Sequence, residues 1–111
     1  MEKIKKYEKA ILDIIKSQRP VILKDPDSYV IKDVKNHHYQ MLLSGWGDGE
    51  KYFIKVFMHF HIRPDGKIVI LENHSSTDVG EELVERGIAK SDIILGFLPE
   101  YARPYSGYAV A

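Results

Sequence analysis

Tyr52-Phe53-Ile54-Lys55-Val56-Phe57-Met58-His59-Phe60-His61-Ile62, then Arg63-Pro64-Asp65-Gly66-Lys67, then Ile68-Val69-Ile70-Leu71, sets the architecture of this chain. Two runs rich in β-branched and aromatic residues flank a short segment that holds Pro64 and Asp65-Gly66, which is the pattern of an antiparallel hairpin. Side chains alternate faces along a strand, so the even positions Tyr52, Ile54, Val56, Met58, Phe60 and Ile62 are expected to form a core face. The odd positions Phe53, Lys55, Phe57, His59 and His61 form a mixed face, where chemistry or a partner is expected.

Upstream of the hairpin, Tyr29, Val30, Ile31 and Val34 read as a first strand, with Lys35-Asn36-His37 as its connection to a second. The second strand, His38 to Trp46, carries Tyr39, Met41 and Leu43 on one side and Leu42 and Trp46 on the other, and Gly47-Asp48-Gly49 ends it. Residues 29–71 thus predict about four strands in an antiparallel meander. Before them, Ile4, Tyr7, Ile11, Leu12, Ile14 and Ile15 recur at spacings of three and four, so residues 2–18 predict an amphipathic helix that Pro20 stops. Val21 to Leu23 is a brief apolar run, and Lys24 to Ser28 has the punctuation of a turn.

Downstream, Thr77 or Asp78 is placed to cap a short helix near residues 78–87, with Glu81 and Glu82 in its first turn, Val79, Leu83 and Val84 as its buried stripe and Gly87 beyond its end. Then come the apolar run Ile93-Ile94-Leu95 and a tail with Tyr101, Tyr105 and Tyr108. The expectation is a single α+β domain over residues 1–111: a four-stranded antiparallel sheet covered by an N-terminal helix and a short second one.

Composition limits the function classes. Sixteen basic and sixteen acidic residues cancel, which argues against a protein that holds nucleic acid by bulk charge. There is no cysteine, so disulfides, thiolate metal sites and cysteine nucleophiles are excluded. No apolar run has the length to span a bilayer and the charged start lacks the apolar segment of a signal peptide, so a soluble, cytoplasmic protein without membrane contact is expected. The lysines of the first helix, interleaved with acids, read as a solvated face rather than a nucleic-acid arm.

His59 and His61 lie two apart on a strand and project from one face, a geometry found among zinc ligands. A metal site needs a third ligand, which His37, His38, His74 or Glu72 would supply only if the fold brought one near; otherwise both are sheet residues hydrogen-bonded to neighbours. Asp65 and Asp78 read as turn and cap. No serine lies in a nucleophile-elbow pattern, and Gly45-Trp46-Gly47-Asp48-Gly49 leads towards a strand rather than into a helix, unlike a phosphate loop. Neither a catalytic residue nor a cofactor is therefore assigned. Trp46, Tyr101, Arg103, Tyr105 and Tyr108 are candidates for a protein interface, since Tyr, Trp and Arg are enriched there; base stacking and plain packing are the alternatives.

His38-Tyr39-Gln40-Met41-Leu42 followed by Gly45-Trp46 resembles the His-Tyr-Gln-Leu-Leu…Gly-Trp motif of the XisI family, the fdxN-element excision controlling factors known mainly from cyanobacteria. Asp65-Gly66-Lys67-Ile68, Glu82-Leu83-Val84 with Gly87-Ile88, Asp92 to Gly96-Phe97, then Pro99, Tyr101, Arg103, Tyr105 and Ala109-Val110-Ala111 continue the resemblance in order. The chain departs from the family where His61 stands for an Asp, Val69 for a Trp and Leu98 for a His, and Pro64 reads as an insertion in the turn.

The resemblance implies an accessory, non-enzymatic role in excision of a DNA element cut by a separate site-specific recombinase. It also implies a XisH-like protein partner. A homo-oligomer is expected, with DNA contacted indirectly if at all. The alternatives are direct DNA binding and, less favoured, a histidine-based metal hydrolase.

Overall fold

The computed structural model describes residues 2–20, 26–47 and 51–111. The apolar run Val21 to Leu23, Lys24 and Asp25 of the expected turn, and Asp48-Gly49 of the expected stop lie outside the described residues, while Asp27 and Ser28 belong to the first strand rather than to a turn. The first helix, α1, runs from Glu2 to Lys16 and buries Tyr7, Ile11, Ile14 and Ile15 of the predicted stripe together with Ala10, while Ile4 and Leu12 are partly buried. It packs on one face of a sheet made of β1 (Asp27–Asp33), β2 (His38–Trp46), β3 (Tyr52–Ile62), β4 (Ile68–Asn73) and β5 (Ile93–Leu95), in that spatial order. The first four strands form the antiparallel meander expected from the sequence.

Among the described residues the sheet has five strands rather than four. Ile93-Ile94-Leu95 pairs parallel with Ile68, Val69 and Ile70. A parallel neighbour needs a crossover, and the segment holding the second helix supplies it. That helix, α2 (Val79–Glu85), begins where Asp78 accepts a hydrogen bond from the Glu81 backbone N–H. Past its end, Gly87 takes φ 89°, a left-handed conformation that suits glycine. Val79 and Leu83 join α1, Tyr39, Met58, Phe60, Ile68 and Ile70 in one core. No described helix is long and apolar enough to cross a membrane.

The alternation along β3 departs from the reading that put every even residue in the core. Met41 pairs with Met58 but Leu42 pairs with Val56, so Phe57 is an extra residue, a β-bulge. The bulge reverses the phase. Beyond it Met58, Phe60 and Ile62 are buried as expected; before it Phe57 is buried, while Tyr52 and Ile54 lie exposed on the opposite face. A second irregularity, His59 with Glu72 and then Phe60 with Ile70, makes Leu71 the extra residue of β4. One face of the sheet meets the helices, and the other, the outer face, does not.

Candidate functional site: the outer face of the sheet

Register fixes what the outer face carries. Along β2 and β3 the pairs are His38 with His61, Gln40 with His59, Leu42 with Val56, Ser44 with Ile54 and Trp46 with Tyr52. β1 adds Tyr29 beside Leu42, Ile31 beside Gln40 and Asp33 beside His38. The face is therefore histidine-rich at one end and apolar towards the other, where the Trp46 and Tyr52 rings meet edge to face with centroids 5.3 Å apart. Tyr29, Ile31, Ile54, Tyr52 and Trp46 are all exposed, Trp46 at 62%. Exposed apolar area of this kind marks an interaction surface more often than a free one. The only lysines in the described strands, Lys32 and Lys55, pair with Tyr39 and Leu43 and so project from the other face.

At the histidine end three imidazoles touch. His38 and His61 stack with centroids 4.0 Å apart, and His38 Nδ1 lies 2.9 Å from His59 Nε2, so one proton is shared between those two nitrogens. Gln40 Nε2 is 3.3 Å from His59 Nδ1, and the His37 carbonyl accepts from His61 Nδ1 at 3.1 Å. Burial, then the neighbouring His61, lowers the pKa of His38 against the pull of Asp33. The pKa of His59 falls for the same first reason, then through His38 and His61.

His59 and His61 do share a face, with His38 as their common neighbour. His74 is hydrogen-bonded to Glu72 at 2.6 Å, and among the described residues no three His, Asp or Glu converge on a metal position.

The other motif residues serve different ends. Tyr39 is fully buried; its hydroxyl donates to Glu8 at 2.6 Å. Gly45, the position before Trp46, pairs with Phe53. Gly96 lies against β4, where a Cβ would come within 2.6 Å of Val69 Cγ1. Phe97 is half exposed, and Pro99 precedes the 3-10 turn Glu100–Tyr105.

The interface candidates divide. Tyr101 and Tyr105 are 81% and 90% exposed, whereas Arg103 donates from Nε to the Leu98 carbonyl and Tyr108 donates to Glu81 over Gly80. Burial, then that bond, pushes the Tyr108 hydroxyl up to about 12. Trp46 belongs to the outer face, while the tail bridges to β5 through Ala109 and Ile94.

Sequence reading missed the exposed residues Tyr29, Ile31, Tyr52 and Ile54. The bulge at Phe57 hides the last two, and only the alternation of β1 signalled the others.

Two departures from the family pattern, His61 and Val69, turn out to be directly paired across β3 and β4. The family model for XisI protein matches residues 1–110. The fdxN element excision controlling factor XisI of Anabaena variabilis ATCC 29413 is 30% identical; the match covers 98% of this chain and 99% of that one, with a TM-score of 0.78. A XisI-like protein of the same organism is also 30% identical over 97% of this chain and 99% of its own, with a TM-score of 0.81. No curated protein matches. Matched along nearly its whole length in sequence and in fold, the chain belongs to the XisI family.

Proposed function

We propose that this protein is an accessory factor in the excision of a DNA element, acting through protein contacts rather than catalysis, with a XisH-like protein as its partner. The name of its Anabaena relative, an excision controlling factor, supplies the process. The observation that carries the mode of action is the outer face: exposed Tyr29, Ile31, Trp46, Tyr52 and Ile54 with no strand lysine or arginine among them. Interface centres are enriched in aromatics and depleted of charge, whereas phosphate-backbone binding requires Lys and Arg.

Co-expression with the XisH-like protein, read by size-exclusion chromatography with light scattering, tests the proposal. A stable complex is expected, and Ile54→Glu abolishes it while leaving the thermal midpoint of the isolated chain unchanged. A homo-oligomer of the chain alone would appear in the same measurement. Separate elution of the two wild-type proteins, with steeply salt-dependent DNA binding by this chain, would replace the proposal with direct DNA recognition.

A further inference from the structure

The meander brings the turn after β1 and the turn after β3 to the same end of the sheet, and between them lies a cleft of about 570 Å³. Its polar wall is Lys35, Asn36, His37, His38, His61 and Arg63, and among the described residues no carboxylate lines it. Two acids in the flanking turns are already engaged. Asp33 accepts from the Lys35 and Asn36 backbone N–H groups and the Asn36 amide, and Asp65 pairs with Arg63. Among the described residues Lys35 has no carboxylate partner.

The hydrogen bonds also fix the tautomers of two wall histidines. A carbonyl only accepts, so His61 carries its proton on Nδ1, facing the His37 carbonyl. Tyr39 has a single hydroxyl proton, given to Glu8, so its oxygen accepts from His37 Nδ1 at 3.1 Å. In both rings Nε2 is the nitrogen not used by these bonds. His37 itself is held at φ 57°, an uncommon left-handed conformation for a residue with a side chain and one that recurs at binding sites.

The geometry points to a phosphate-binding cleft, in which Lys35 supplies positive charge, Arg63 a guanidinium shared with Asp65, and His37 and His61 present Nε2 to the anion. The size of the cleft and its apolar floor at Ile62 and Pro64 leave room for the organic group of a phosphomonoester such as a nucleotide. Other charges act on this wall: Asp33 on His38, Glu72 on His59 behind it, Glu8 on His37 through Tyr39, and Asp65 on Arg63. The inference is independent of the partner proposed above, because the apolar part of the outer face lies towards the opposite end of the strands.

The test follows the histidine ring signals of the full chain by NMR during titration with inorganic phosphate, a nucleoside monophosphate and sulfate. Saturable shifts at His37 and His61, but not at His74, are expected. Lys35→Ala, in an exposed turn, should weaken phosphate at least about fivefold, with Lys35→Arg restoring most of it. A nucleotide that binds more tightly than inorganic phosphate identifies an ester ligand, and equal affinity identifies the free ion. Absence of saturation, or binding untouched by Lys35→Ala, overturns the assignment.

Discussion

Tyr39→Phe isolates the contact that ties α1 to β2 and braces His37. Phenylalanine fills the same buried volume, so no cavity forms and the change removes only hydrogen bonds. The bond lost to the Glu8 carboxylate is charge-assisted; with Glu8 only half-buried it belongs at the low end of its class, about 1.5 kcal/mol. The neutral bond from His37 adds about 0.5 kcal/mol. The expected loss is therefore about 2 kcal/mol, or roughly 8 °C in the thermal midpoint of a chain this size. Urea denaturation followed by circular dichroism measures it. A double-mutant cycle with Glu8→Ala should return a coupling of about 1 kcal/mol, because both substitutions break one bond. A loss below about 0.5 kcal/mol, or two effects that simply add, would refute the argument that this buried hydroxyl links helix to sheet.

Gly96→Ala should cost about 1–3 kcal/mol, since the new methyl meets Val69 Cγ1 at 2.6 Å and the Ile70 carbonyl oxygen at 3.1 Å; Val69→Ala should recover part of it, and an unchanged melting curve would contradict the packing. The folded protein holds the His38 and His59 pKa values down, so the unfolded chain takes up protons first, and stability should decline as pH falls below about 6.5. Urea midpoints between about pH 8 and pH 5 check this, with His59→Gln expected to flatten the decline. A further loss should begin below about pH 4, where the unfolded chain protonates Asp33 and Asp92 while the folded protein still holds them charged, and a profile flat down to that point would sink the histidine argument.

What the sequence made legible was local. The α1 stripe, the hairpin around Asp65-Gly66, the Asp78 cap and the Gly87 stop each depend on residues a few positions apart, and each stands where the pattern placed it. What it concealed depends on partners. Tyr52 to Phe57 is apolar at nearly every position, so no alternation marks where Phe57 is inserted, and only pairing with β2 reveals it. β5 is three residues long and takes its identity from a parallel neighbour far back in the chain. The histidine group was half visible: His59 and His61 were placed on one face by their spacing, but His38 joins them only through the β2–β3 register. The tail read as one aromatic surface, yet Tyr108 and Arg103 are engaged within the fold while Tyr101 and Tyr105 are not.

The bulge at Phe57 splits one strand into two separately adjustable segments. From Met58 to Ile62 the residues that vary without disturbing the interior are His59 and His61, beside the cleft; from Tyr52 to Val56 they are Tyr52, Ile54 and Val56, on the apolar patch. Recognition at one end can therefore be rewritten by substitution without repacking the centre or altering the other end. Deletion of Phe57 is a different matter: Leu42 would still face Val56, Ser44 Ile54 and Trp46 Tyr52, so the patch would keep its face while the strand lost its bend and the core lost a buried ring.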